Sequence, residues 1–176
     1  METTEIKLNP DSKKDIRAEI FNPDSHQWNR IKDRIWELLK INVDPLGVPL
    51  ENNPHFTPDK LKNFFEDPET IAVLLKEAEK ILGFSFAIPN DYESDKTAYI
   101  YTTKIDPQYQ NEGLVGVIMN TMEAELRKRK YQYITRDARV SNGYANKIIK
   151  HYADRIVEQK PHGSSYGQQV FFKIKL

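Results

Sequence analysis

The chain has 176 residues, and its 26 Lys and Arg residues balance 26 Asp and Glu residues. This length fits one domain with a short extension. Because the sequence contains no cysteine, it excludes a disulfide framework, a thiolate zinc site and a cysteine nucleophile. The zero net charge argues against a broad electrostatic surface for nucleic acid.

Residues 1–15 are mostly charged or small and polar, so we predict a loose tail before a single domain over residues 16–176. The tail lacks the apolar segment of a signal peptide, and no later run reaches the roughly 18 apolar residues of a membrane span. We therefore expect a soluble, cytoplasmic protein without a membrane partner.

Periodicity predicts the first elements. Alternating apolar residues indicate a strand over 16–21, and apolar residues at three- and four-residue steps indicate a helix over 25–41. The next stretch, 42–56, contains three prolines and is predicted to be a loop. Thr57 followed by Pro58 then resembles a helix cap and predicts a short second helix.

The second half alternates strands with helices. Two apolar runs, 71–76 and 81–88, predict a hairpin, and 97–105 is rich in aromatic and β-branched residues typical of a strand. The next predicted element is a helix that begins near 114 and has basic residues at its end. It is followed by a strand over 131–140, a helix over 142–156 and a strand over 168–176. A further strand near 156–158 is left open. This order predicts a mixed α/β fold built on one sheet.

The segment between the strand ending at Ile105 and the helix beginning near Leu114 reads I-D-P-Q-Y-Q-N-E-G-L-V-G. A strand that leads through a glycine-containing turn into a helix directs several backbone N–H groups, and the positive helix end, towards one point. Glycine lets an anion approach the backbone closely. The segment is therefore either a pyrophosphate-binding loop or an ordinary β–α turn.

This segment resembles the acetyl-CoA loop of the GNAT superfamily of N-acetyltransferases, V-x-P-x-Y/F-[RQ]-x-x-G-x-[GA]. The positions that match are Ile105, Pro107, Tyr109, Gln110 and Gly113. Val115 departs from the pattern, since the family has Gly or Ala there, although Gly116 follows directly. A second segment, Asn142 to Ala145, resembles the family's N-x-x-A motif.

The resemblance implies a central, mostly antiparallel sheet whose fourth and fifth strands splay apart, with acetyl-CoA as cofactor. It implies that the pantetheine arm pairs with the fourth strand near Thr103 and Ile105 and passes Asn142. The loop residues implied to hold the pyrophosphate are Gln110, Asn111, Glu112, Gly113, Leu114, Val115 and Gly116. It also implies an amine acceptor, which is a small molecule, a peptide or a protein.

Without cysteine, direct attack of the amine on the acetyl group in a ternary complex is the natural route. The family commonly has a tyrosine acid seven positions after the motif asparagine, and here that position is Ile149. Tyr152 follows almost one helical turn later and is the candidate proton donor, with aromatic packing as the alternative. Tyr144, at the start of the same helix, is a weaker candidate.

The base and the acceptor site are less defined. Asp137, Glu66 and His55 are candidate bases, and a water relay is an equal alternative. In the family the first two helices and their connection bind the acceptor, so His55 and Phe56 are predicted to contact it. The first 90 residues carry 12 basic and 16 acidic side chains, which favours a cationic amine.

Two functions from different classes remain. One is an active N-acetyltransferase, and the other is an acyl-CoA-binding module that has lost its acid, as Ile149 and Val115 suggest. Acetylation of charged tRNA is disfavoured, because such a partner calls for clustered basic residues and the only basic run is 127–130. The sequence does not decide between a monomer and a homodimer.

Overall fold

A mixed sheet in the order β1-β2-β3-β4-β5-β7-β6 forms the centre of the molecule. The computed structural model describes residues 15–41, 56–164 and 167–176. The strands are β1 (Ile16–Ile20), β2 (Ile71–Glu77), β3 (Lys80–Pro89), β4 (Thr97–Ile105), β5 (Tyr133–Arg139), β6 (Ile156–Ser164) and β7 (Gly167–Lys175). The helices are α1 (Trp28–Ile41), α2 (Pro58–Glu66), α3 (Leu114–Lys128) and α4 (Tyr144–Tyr152).

Helices cover both faces of the sheet. Because successive strand residues point to opposite sides, neighbouring residues of one strand pack against different helices. In β2, Leu74 packs with α1 and α2, whereas its neighbours Val73 and Leu75 pack with α3 and α4. We call these two sides the α1–α2 face and the α3–α4 face. In the part of the chain that the structure describes, no helix is long and apolar enough to cross a membrane.

The sheet opens between its two central strands. The parallel pairing of β4 with β5 joins only Thr97–Tyr99 to Tyr133–Thr135. Beyond these residues β4 stays paired with β3 and β5 with β7, so a gap widens between them, which we call the fork. The fork confirms the predicted mixed α/β sheet with splayed fourth and fifth strands.

A bulge lies in β4 next to the fork. Phe86 of β3 pairs with Thr102, but the next residue, Ala87, pairs with Ile100, so Tyr101 is the extra residue. A bulge bends its strand and redirects side chains. It places Tyr101 against the aromatic cluster of the α1–α2 face, while Ile100 and Ile105 pack on the α3–α4 face.

Most predicted elements are confirmed, with one correction near the C-terminus. The helix predicted over 142–156 ends at Tyr152, where the N–H of Arg155 bonds to the Tyr152 carbonyl at 2.8 Å and turns the chain. The open strand at 156–158 is a nine-residue strand. The sequence did not predict the full length of this strand, because it contains Pro161 and Gly163, and neither residue type is typical of strands. Of the predicted tail only Asp15 is described, and of the predicted loop over 42–56 only Phe56.

Candidate active site

Side-chain contacts hold the loop between β4 and α3. The Asp106 carboxylate caps a short 3₁₀ turn by accepting from the Gln108 N–H at 3.0 Å, and it accepts from Arg34 of α1 at 2.6 Å. Burial opposes its ionisation, but these bonds outweigh burial and lower the pKa of Asp106. Gln110, predicted to bind the cofactor, donates its side-chain amide to the Ile105 carbonyl at 3.1 Å. These contacts therefore fix the first half of the loop, residues 106–110.

The middle of this loop presents backbone N–H groups. Asn111 and Gly113 have φ of 66° and 75°, a left-handed conformation that turns successive N–H groups to one side. Within the described part of the chain, the backbone N–H groups of residues 111–115 have no hydrogen-bond acceptor. A Cβ added at Gly113 or Gly116 would meet nothing within 4 Å. An anion can thus reach the positive end of α3.

The other predicted cofactor residues fall into two groups. The side chains of Ile105 and Leu114 are buried in the core and that of Val115 packs against it, so these residues offer only their backbone to a ligand. Asn111 and Glu112 are exposed.

Two polar residues beside the fork already have local partners. The Thr103 hydroxyl lies 2.9 Å from the Ser85 hydroxyl. The Asn142 side-chain oxygen accepts from the Tyr144 N–H at 3.0 Å, just before α4, and this leaves the amide NH₂ of Asn142 available to a ligand.

On the α1–α2 face, a chain of hydrogen bonds crosses the fork. Tyr99 of β4 donates its hydroxyl to Asp137 Oδ2 of β5 at 3.1 Å, and Asp137 Oδ1 lies 2.8 Å from Nδ1 of His162 on β6. Asp137 follows Thr135, the last paired residue, on the same face. Burial, followed by the charge of Asp137, raises the pKa of Tyr99, so this hydroxyl keeps its proton.

On the α3–α4 face, the fork is lined by a buried cation. Arg136 is 4% exposed, and its guanidinium stacks on Tyr144, 5.0 Å from the ring centre, while donating to the Tyr144 hydroxyl at 2.9 Å. Its Nε has no hydrogen-bond partner, and the described residues supply no carboxylate to pair with it. A buried charge without a counter-charge costs stability.

Tyr152, the predicted proton donor, lies in a separate cluster. Its hydroxyl is buried and donates to Glu123 Oε1 of α3 at 2.8 Å. Arg155 and Arg127 each donate to Glu123 Oε2 at 2.9 Å. Burial and the charge of Glu123 raise the pKa of Tyr152. Ile149, at the family's usual tyrosine position, packs against the core.

Aromatic side chains lead from α2 to the fork. Phe56 and Phe64 contact Tyr101 with ring centres 5.8 and 4.9 Å away, and Tyr101 contacts Tyr99 at 6.0 Å. Phe56, predicted to contact the acceptor, therefore lies on the α1–α2 face of the fork. His55 lies outside the described residues, and Glu66 forms an ion pair with Lys62 of its own helix.

Sequence reasoning missed His162 and Arg136. His162 belongs to the strand that the sequence left open, so nothing placed it near β5. Arg136 stands in a predicted strand between Ile134 and Ala138, both of which are core residues. Side chains of a strand alternate between its two faces, so Arg136 lies on the same face as these two core residues. This alternation could have predicted a buried arginine.

Residues 28–154 match the model of the acetyltransferase (GNAT) family. No curated protein sequence matches the chain significantly. Solved structures share its fold at low identity. The ribosomal-protein-S18-alanine N-acetyltransferase from Escherichia coli has a TM-score of 0.63 and 13% identity, with 91% of this chain and 93% of that chain covered.

A putative acetyltransferase from Salmonella typhimurium, solved with its cofactor acetyl-CoA, has a TM-score of 0.65 and 12% identity, with 92% of this chain and 94% of that chain covered. The PaiA N-acetyltransferase from Thermoplasma acidophilum, in complex with coenzyme A, has a TM-score of 0.63 and 12% identity, with 92% and 99% covered. These likenesses concern the fold.

Proposed function

Because the chain belongs to the GNAT family of acetyltransferases, which matches it over residues 28–154, we propose that it transfers an acetyl group from acetyl-CoA to a primary amine. Transfer is direct, with both substrates bound, since no cysteine is available to carry the acetyl group. The observation that carries the proposal is the fork between β4 and β5, with an N–H-lined loop at its open end.

The residues of this loop and of the fork fit acetyl-CoA. The cofactor supplies the acetyl group as a thioester. The N–H groups of residues 111–115, at the positive end of α3, suit the pyrophosphate. The β4 edge near Thr103 and Ile105, with the amide of Asn142 across the fork, would hold the pantetheine arm. Bulk at Gly113 or Gly116 would occupy the space that the phosphates need.

The acceptor amine enters from the opposite side in this proposal. Phe56, Tyr101 and Tyr99 form an aromatic wall that ends at the Asp137 carboxylate. Aromatic faces and a carboxylate both attract an ammonium group. The amine of a protein alanine, the acceptor named for the Escherichia coli neighbour, and a small cationic amine both fit this description. His55 stays a predicted contact of the acceptor.

The proposal also assigns the proton of the departing thiolate to Tyr152, with one condition. The hydroxyl is bound to Glu123 at 2.8 Å, so donation requires that this bond opens during turnover. Burial and the Glu123 charge hold the proton on the hydroxyl by raising its pKa.

The function is tested by acetyl-CoA titration in a calorimeter and by thiol release with a diamine, an amino-acid amide and a short peptide. We expect saturable binding and thiol release with at least one amine. Gly113→Ala should weaken acetyl-CoA binding at least tenfold, about 1.4 kcal/mol, because the added Cβ lies in the phosphate space. The control Gly167→Ala also replaces a glycine of positive φ, 94°, but lies in the β6–β7 hairpin. Equal affinity of both variants would contradict the loop assignment.

A non-catalytic acyl-CoA-binding module is the second candidate. It is favoured by Ile149 at the usual tyrosine position and by the Glu123 bond that occupies Tyr152. Saturable binding of acetyl-CoA without thiol release for any amine would support this module and reject the transferase.

A further inference from the structure

We propose that His162 accepts the proton of the acceptor amine, and that Asp137 holds the imidazole in the tautomer that can do so. The inference rests on the proposed function and adds to it the base of the reaction. It depends on the hydrogen bonds that join β4, β5 and β6 across the fork.

The position of Asp137 is the first argument. It is the first residue of β5 beyond the β4 pairing whose side chain lies on the α1–α2 face. Its two oxygens are both engaged, one by the Tyr99 hydroxyl at 3.1 Å and the other by His162 Nδ1 at 2.8 Å. The carboxylate is thus fixed at the point where the strands separate, and it is 18% exposed.

The chemistry of the pair is the second argument. A carboxylate only accepts hydrogen bonds, so in the neutral ring of His162 the proton is on Nδ1 and Nε2 has the free lone pair. The side chain of His162 is 48% exposed, and an acceptor arriving over the α1–α2 face can reach it. An imidazole nitrogen with a free lone pair is the commonest proton acceptor among catalytic side chains.

Several other polar and charged groups surround the imidazole. Arg139 of β5 and Gln169 of β7 lie in the same row as His162. Lys160, two residues earlier on β6, is paired with Glu158. Tyr99 keeps its proton, because burial and Asp137 raise its pKa, so the Tyr99 hydroxyl positions the carboxylate and does not compete for the amine proton.

The step balances in atoms and charge. An ammonium group loses one proton to Nε2 of His162, and the resulting amine lone pair forms the bond to the acetyl carbon. The C–S bond breaks, and its electron pair leaves with the sulfur. The amide nitrogen gives up a second proton, and one proton ends on the thiol. His162 returns its proton to solvent, so one proton is released in each cycle.

The kinetic test uses the full chain, acetyl-CoA and the amine that gives the fastest thiol release. In His162→Asn the amide can still donate to Asp137 from the position of Nδ1, but it cannot take up a proton. We expect kcat to fall about 100-fold, the usual size of a general-base contribution, while Kd for acetyl-CoA stays within twofold. The control His26→Asn changes an exposed histidine beside α1 and should leave kcat unchanged. A kcat for His162→Asn within twofold of wild type would overturn the inference.

A second measurement needs no turnover. Long-range ¹H–¹⁵N spectra identify the tautomer of each neutral histidine, and we expect Nδ1–H for His162 in the wild type and loss of that preference in Asp137→Asn. The Nε2–H tautomer in the wild type would overturn the inference. If the tautomer is as expected and no amine is acetylated, the pair has no reaction to serve, so both the inference and the proposed function are rejected. If an amine is acetylated and His162→Asn is as fast as wild type, only the inference fails.

Discussion

Glu123 shows how a single buried carboxylate organises the α3–α4 face. It accepts hydrogen bonds from Tyr152, Arg155 and Arg127, which come from α4, the turn after α4 and α3 itself. Burial alone would oppose its ionisation, but the bonds from Arg155 and Tyr152 outweigh burial and lower the pKa of Glu123. The carboxylate therefore stays charged and ties α4 to α3.

Tyr152→Phe removes one of these bonds and tests the proposed proton donor. We expect the free energy of unfolding in urea to fall by about 1–2 kcal/mol, because a buried hydrogen bond to a charged group is lost. If Tyr152 is the proton donor, turnover of Tyr152→Phe should fall at least tenfold at a temperature where the variant is fully folded. Its affinity for acetyl-CoA should be unchanged. Tyr92→Phe, at a fully exposed tyrosine, is the control. Normal turnover in Tyr152→Phe would leave Tyr152 with only its structural role.

At the scale of elements, the fork depends on β4 being held firmly from its other side. β3 and β4 approach so closely that a Cβ on Gly83 would lie 2.7 Å from the Lys104 carbonyl oxygen. Contacts that close force a backbone shift. Because this contact lies near the end of β4 that leads into the β4–α3 loop, the spacing of β3 and β4 here determines where that loop begins.

Gly83→Ala should therefore destabilise the protein by about 2 kcal/mol, within the range of overpacked sites. The matched control is Gly163→Ala on β6, where a Cβ would meet nothing within 4 Å. We expect the control to be neutral or slightly stabilising, because alanine restricts the unfolded chain. Chemical denaturation of both variants measures the difference, and equal stabilities would contradict the close approach of β3 and β4.

How far the sequence predicts these elements depends on how local each signal is. The sequence of residues 105–116 predicted the end of the strand, the loop and the start of the helix. The signal is local, because Pro107 and Gly113 restrict or permit conformations of their own backbone. β6 carries Pro161, His162 and Gly163, and its pairing with β7 is a long-range contact without a local pattern. The hydrogen bond between His162 and Asp137 could not be predicted without that strand.

For the whole molecule, two ion pairs make stability depend on pH. Arg34 joins α1 to Asp106 in the loop between β4 and α3 at 2.6 Å, and Arg155, just before β6, pairs with Glu123 of α3 at 2.9 Å. Both carboxylates have a lowered pKa in the folded state. Their contribution is therefore complete above the ordinary carboxyl pKa and is lost as pH falls through the lower value of the folded protein.

Glu123→Gln tests this dependence. At pH 7 we expect a loss of about 2 kcal/mol, smaller than for a fully buried pair because Arg155 is 33% exposed and can be hydrated. The difference from wild type should shrink below the ordinary glutamate pKa of 4.5, since the unfolded wild-type chain is then protonated at Glu123, and the folded protein follows at its lower pKa. Glu79→Gln, in the exposed β2–β3 turn, should match wild type at every pH. A difference for Glu123→Gln that stays constant down to pH 2 would contradict the lowered pKa.

The register of β5 determines which face of the sheet carries the charge of Arg136 and which carries that of Asp137. β5 pairs with β7 without interruption from Tyr133 to Arg139, which places the guanidinium on the α3–α4 face and the carboxylate on the α1–α2 face. A slip of one residue would exchange the faces of every side chain in the strand. In the proposed function the fork would then present its cation to the amine and its carboxylate to the cofactor, so the pairing of β5 with β7 also sets the direction of the electric field across the fork.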